Sequence, residues 1–167
     1  MDYLWTPWRY RYVSEGVRSA PCVFCRMAED EGHDRENLVV HRAAMSFVVL
    51  NLFPYTSGHA LVVPYAHAAT LTQLAQRAPE ALGEMMTVAR DLEGALQDLY
   101  KPEGYNLGMN LGCSGGAGIA DHLHLHFVPR WTGDTNFMST IGETRLLPEE
   151  LAVTYEKLAG FFHRRES

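Results

Sequence analysis

No apolar run in this sequence is long enough to cross a bilayer, and no glycine, proline or serine tract, repeat or low-complexity stretch divides the chain. Positive charge is scarce. Fourteen Lys and Arg stand against twenty Asp and Glu, for a net charge of −6, which argues against a nucleic-acid groove because such grooves carry a basic stripe. Four arginines near the start, Arg9, Arg11, Arg18 and Arg26, read as a solvated face. Cysteine is scarcer still: Cys22, Cys25 and Cys113 are an odd number, so a complete set of intrachain disulfides is excluded and free thiols are expected. The opening MDYLWTPWRYRY lacks the apolar core of a secretory leader, and a cytoplasmic protein is expected. What is present is a good core. A chain of 167 residues buries roughly two thirds of its unfolded surface, enough for one domain over residues 1–167, with an aromatic arm at 1–20 and a C-terminal helical extension at 145–167.

Residues 36–42, 46–51 and 59–64 are β-branched runs separated by short polar breaks, which predicts an antiparallel meander with a turn at 54–58. Residues 79–100 place Leu82, Met85, Met86, Ala89, Leu92, Leu96 and Leu99 on one stripe, and Pro102 and Gly104 follow as stop signals. That is the main helix, and its methionines read as core rather than as cofactor contacts. Residues 105–110 and 123–128 supply two more strands, and residues 147–164 a last helix entered at Pro148 with Glu149 and Glu150 in its first turn. The expected architecture is α+β: a five-stranded antiparallel sheet with a long helix and a C-terminal helix, the helices gathered on one side.

Within residues 121–131, DHLHLHFVPRW, the histidines His122, His124 and His126 alternate with Leu123, Leu125 and Phe127, the period of a half-buried strand. All three imidazoles then share one face. Just upstream, SGGAGIAD at 114–121 is rich enough in glycine to let backbone N–H groups converge on an anion. Three readings compete for the histidines: a chance alternation, a catalytic metal site, or a central imidazole acting as nucleophile with flanking donors to the phosphoryl oxygens. Cys22 and Cys25 form CVFC, which is half of a zinc site, a redox pair, or two small buried hydrophobes.

HLHLHFV, together with NLFPYTSGHALVVPYAH at 51–67, GMNLGCSGGAGIAD at 108–121 and PRW at 129–131, resembles the histidine triad superfamily of nucleotidyl hydrolases and transferases. The opening LWTPWRYRYV and the GDTNFM after Trp131 are similar to the branch that contains bacterial diadenosine tetraphosphate phosphorylases. The resemblance implies that His124 attacks the α-phosphorus of a nucleotide to form a nucleotidyl-histidine, and that His126 serves the leaving oxygen. It implies donors from the backbone of Gly116, Ala117, Gly118 and Ile119 and from the Asn110 amide, and a ribose contact for Asn51. His59 is carried over as a supporting residue, although a core histidine bonded to backbone explains it equally well. Trp131 either covers substrate or packs. Phe47, Leu50, Leu52 and Phe53 are candidates for a base pocket, with the core as the competing explanation.

The resemblance also completes the metal site: His67 and His122 match the histidines that join such a cysteine pair, so a closed structural zinc on Cys22, Cys25, His67 and His122 is expected, leaving His124 free. Gly118 stands where many members carry a polar side chain, so donors there come from backbone. Cys113, with no flanking histidine, reads as an inert thiol. The function expected is transfer of a nucleoside monophosphate, an adenine one by first choice, from a dinucleoside polyphosphate to phosphate or water. Hydrolysis of adenosine phosphoramidates and a non-catalytic nucleotide-binding module are the alternatives. Superfamily members pair the long helix and the strand at 105–110 across a two-fold axis, so a homodimer is expected, its sheet extended through the Tyr105 strands, or a tetramer using the aromatic arm.

Overall fold

The computed structural model describes residues 21–135, 141 and 148–166; the aromatic arm with Arg9, Arg11 and Arg18, and the NFM of the GDTNFM segment, lie outside those residues. The three β-branched runs form consecutive antiparallel strands, β1 Val39–Arg42, β2 Ser46–Leu50 and β3 Ala60–Pro64. Two more follow, β4 Gly104–Met109 and β5 Leu125–Arg130, and the sheet order is β1-β2-β3-β5-β4. Strand β4 is therefore an edge, with Leu107 exposed on it.

Helices are α1 Val23–Glu29, α2 Asp34–Asn37, α3 Leu71–Arg77, α4 Ala81–Tyr100 and α5 Leu151–Glu166. Alternation splits the strand residues between two cores. Val48, Leu50, Ala60, Val62, Leu125 and Phe127 pack with Leu74 of α3, with Met85, Leu92 and Leu96 of α4, and with Leu158 and Phe162 of α5. Val39, Phe47, Val49, Leu61 and Val63 face the other way and are covered by Phe24 of α1. The helices are thus not all on one side. The short α1 closes the second face, and it escapes a periodicity search because seven residues span barely two turns. Helix α3 is equally short but carries a local signal, since the Thr70 hydroxyl accepts from the Gln73 N–H at 3.2 Å.

Two expectations need correction. Met86 is 54% exposed rather than core; the buried arc of α4 runs through Ala81, Met85, Val88, Leu92 and Ala95, and Met86 lies about 100° around the helix from Met85. The histidine strand is also shorter than its alternation, because β5 starts at Leu125. The β3–β5 ladder pairs Val62 with Leu125, so its next pair would match Leu123 to Pro64, which has no N–H to donate. Leu123 instead donates to the Ala68 carbonyl at 2.7 Å, and the chain from 122 to 124 leaves the sheet without losing the shared face. Gly58 closes the turn between β2 and β3 at φ +78°, a conformation that favours glycine, and a Cβ there would sit 2.8 Å from Leu96 Cδ2 and force that side chain to shift.

Candidate active site and Cys/His cluster

The three histidines are more deeply buried than a half-buried strand implies. His122 and His124 are 0% and 5% exposed, because Phe24, from inside the CVFC segment, lays its ring against both, at 5.5 and 5.0 Å between centroids. His126 is 4.9 Å from His124 and stays partly open. Gly108 on one side and Leu61 on the other are its cross-strand neighbours.

Hydrogen bonds assign which ring nitrogen carries each proton. His124 Nδ1–H donates to the His122 carbonyl at 2.9 Å, so its Nε2 holds a lone pair, with no hydrogen-bond partner among the described residues. The Tyr55 backbone N–H donates to His59 Nδ1 at 3.1 Å, which leaves the His59 proton on Nε2. From there it is donated to His126 Nδ1 at 3.0 Å, and the remaining His126 proton is on Nε2, in a ring whose centroid is 4.9 Å from that of His124. Two adjacent imidazoles thus present opposite chemistry, one acceptor and one donor. His59 is buried and acts on His126 rather than on backbone alone.

Burial holds both rings neutral: it lowers the pKa of His124 against the raising effect of the His122 carbonyl, and, with the nearby His124, it lowers that of His126 to about 4. Between about pH 4 and the unfolded value of 6.5, the unfolded chain binds more protons at residue 126 than the native one. Stability from this group is therefore complete above 6.5 and lost as pH falls through that window. Discounted for the partial exposure of the ring, the loss is about 1–2 kcal/mol. Urea unfolding of wild type and His126→Asn at pH 7.5 and 4.5 should show wild type losing about that much relative to the variant; a gap independent of pH contradicts the assignment.

On the other side of Phe24, one ligand atom from each of Cys22, Cys25, His67 and His122 lies within 4.8 Å of every other. Nδ1 of His122 is 3.3 Å from Cys22 Sγ and 3.6 Å from Cys25 Sγ, and His67 Nδ1 is 3.3 Å from Cys25 Sγ. A tetrahedron with zinc–sulfur bonds of 2.3 Å and zinc–nitrogen bonds of 2.0–2.1 Å has nitrogen–sulfur edges of about 3.5 Å, so the separations fit. The donor chemistry fits as well. His122 Nε2–H donates to the Pro64 carbonyl at 2.8 Å, turning the lone pair of Nδ1 toward the thiols. Burial and the neighbouring Cys22 push the Cys25 thiol up to about 11, so this thiol resists ionisation until a cation relieves it. Arg42, which sequence reasoning missed, holds the cysteine-bearing helix: its guanidinium binds the Asp34 carboxylate and donates to the carbonyls of Met27, Ala28 and Asp30. Arg77 likewise donates to the His67 carbonyl.

The glycine loop is partly closed on itself. Gly116 and Ala117 donate their N–H groups to the carbonyls of Cys113 and Gly112, so the donors left for an anion are those of Gly118 and Ile119. Asn110 directly follows β4, whose last residue Met109 faces Leu125, the residue after His124. The Asn51 carboxamide oxygen accepts from the Phe53 N–H at 3.0 Å, and its nitrogen lies 3.4 Å from both nitrogens of His59. The base-pocket candidates divide: Phe47 and Leu50 are core, whereas Leu52 and Phe53 are 63% and 64% exposed. Trp131 follows β5, where its N–H donates to an Asp134 carboxylate that also holds Arg130. Cys113 is exposed in the loop. Among the described residues no helix is long and apolar enough to cross a membrane.

The family model described as HIT domain matches residues 33–133. The AP-4-A phosphorylase of Mycobacterium tuberculosis is 38% identical over 165 residues, covering 95% of this chain and 83% of that protein. The adenosine 5'-monophosphoramidase hnt1 of Schizosaccharomyces pombe is 25% identical over 138 residues, or 83% of this chain and 96% of that protein. Among solved structures, a zinc-bound histidine triad family protein from Mycobacterium smegmatis superposes with a TM-score of 0.67 at 25% identity, covering 87% of this chain and 95% of that one.

Proposed function

Because this chain belongs to the histidine triad (HIT) domain family, we propose that it cleaves a dinucleoside polyphosphate, diadenosine tetraphosphate before others, and delivers the nucleoside monophosphate to phosphate or water. The observation that carries this reading is the tautomer pair: a lone pair on His124 Nε2 unbonded among the described residues and, on the ring 4.9 Å away, a proton on His126 Nε2. His124 Nε2 attacks the α-phosphorus, the P–N bond forms, and the bridging P–O bond breaks with its electron pair on the departing oxygen. His126 Nε2–H donates a hydrogen bond to that oxygen. Phosphate or water then attacks the same phosphorus, and the pair of the P–N bond returns to Nε2. The N–H groups of Gly118 and Ile119 and the Asn110 amide stabilise the equatorial oxygens, Asn51 meets the ribose, and Trp131 covers the leaving side.

A polyphosphate leaves as a stable anion and needs no full proton, whereas the amine of a phosphoramidate does. A neutral His126 that lends a hydrogen bond suits the first better, and the relative from M. tuberculosis bears the name of a phosphorylase of that class. We assign zinc to Cys22, Cys25, His67 and His122, supported by the donor set and by the zinc-bound relative. When bound, it supplies a closed four-ligand cross-link with no open position for substrate.

The test is incubation with diadenosine tetraphosphate, with and without orthophosphate, and identification of products by mass. Phosphorolysis yields ADP and ATP; hydrolysis yields AMP and ATP. An unchanged substrate in both tubes overturns the reading.

A further inference from the structure

Beyond the histidines, at the far end of β5, lies a cavity of about 310 Å³ lined by Tyr55, Ser57, Tyr100, Trp131, Asp134 and Lys157 among others. It touches the catalytic face through one side chain: the Tyr55 ring lies parallel to His126 at 6.5 Å between centroids and also forms a wall of the cavity. Its chemistry is mixed. Three aromatic rings, from Tyr55, Tyr100 and Trp131, surround it, while Asp134 and Glu149 bring carboxylates, each answered by a cation, Arg130 and Lys157. With its carboxylates and cations paired off, such a lining leaves a free polyphosphate no unpaired cation among the described residues that form it, and it suits a neutral nucleoside, which offers a stacking face to the aromatics and hydroxyl and amino donors to the acid oxygens. One group awaits a partner. Ser57 Oγ is buried, lines the cavity and has no hydrogen bond among the described residues, a condition that a bound ligand relieves.

We infer that this cavity seats the nucleoside of the leaving half of the substrate. The inference rests on the reading above that the substrate is a dinucleoside polyphosphate. The cavity runs from Tyr55, whose ring is 6.5 Å from that of His126, to Trp131, just past the end of β5 and about 16 Å along the chain from His126 at 3.3 Å per residue, so a leaving group made of a single phosphate or an amine reaches at most its near wall. A chain of phosphoryl groups bridges the gap and carries a second nucleoside into it. The cavity would then select for two-headed substrates, with Ser57 as a specificity residue.

The experiment compares diadenosine tetraphosphate with adenosine 5'-tetraphosphate, which has the same phosphate chain and lacks only the second nucleoside. Wild type should show a KM at least tenfold lower for the dinucleotide. Ser57→Leu, which fills the cavity, should erase that preference by raising the KM for the dinucleotide alone. Ser57→Ala, which removes a hydroxyl that bonds to nothing in the free protein, should leave thermal stability unchanged and raise the same KM several-fold. If Ser57→Leu fails to fold, Lys157→Phe fills the cavity from α5 and should act the same way. Equal KM values in wild type, or a filled cavity that affects both substrates alike, overturns the inference. Should wild type cleave neither compound, the proposed activity fails; calorimetry with the same two compounds then decides the cavity, which is refuted unless the dinucleotide binds more tightly and Ser57→Leu removes the difference.

Discussion

His124→Ala should lower kcat for diadenosine tetraphosphate by at least a thousandfold while AMP still binds within a few-fold of wild type. The asymmetry follows from what the side chain does. His124 Nε2 makes its bond to phosphorus only as the bridge breaks, so its loss removes stabilisation that exists in the transition state and hardly at all in the ground state. A thousandfold corresponds to about 4 kcal/mol of barrier. Since His124 is buried against Phe24, alanine also leaves a void, and His124→Gln serves as the variant that keeps volume. Mass spectrometry of wild type quenched at high pH, where a P–N bond survives, should reveal a nucleoside monophosphate adduct on residue 124. Turnover within about tenfold of wild type in both variants, or the adduct on another residue, defeats the covalent route.

Removal of metal should be the largest effect on stability. Purified protein is expected to hold about one zinc per chain. Cys25→Ser, or prolonged chelation, should release it and lower the unfolding free energy by at least about 3 kcal/mol, since ligands that come together only in the folded chain convert binding energy into folding energy. For a protein of this size that is a fall of roughly 6–12 °C in Tm. The loss should be local first. Helix α1 has seven residues and no side-chain cap at its start, too short to persist alone, so its amides should lose protection from hydrogen exchange before those of β2 and β3. A chelated protein with unchanged Tm and a protected α1 would exclude the zinc assignment, as would metal content that survives Cys22→Ser.

Much of this molecule was legible in local pattern. The alternation of β-branched residues marked β1 to β3, the stripe from Leu82 to Leu99 marked α4, and the two-residue spacing of His122, His124 and His126 placed three imidazoles on one face. Periods of 2 and 3.6 residues report which side of an element turns inward whatever it packs against. CVFC was visible too, but its meaning was not. The cysteines meet His67 and His122 across 42 and 100 residues, and only the resemblance to a known family pointed to those partners beforehand.

The same limit explains what the pattern missed. Alternation alone predicted a half-buried histidine strand, because it is blind to Phe24, two turns of helix brought in from the start of the chain to cover it. It could not foresee that β5 begins at Leu125, since the cause is Pro64 on another strand, nor that Gly116 and Ala117 spend their N–H groups inside their own loop. The sequence by itself determined the five strands, α4 and α5, the face the histidines share and the family they indicate. The tertiary structure alone decided which nitrogen of His124 and of His126 carries the proton, which thiols and imidazoles converge, and where a cavity opens beside Tyr55. Those are properties of contacts between residues far apart in the chain, and hydrogen bonds of this kind are set by the packing of whole elements rather than by any local period.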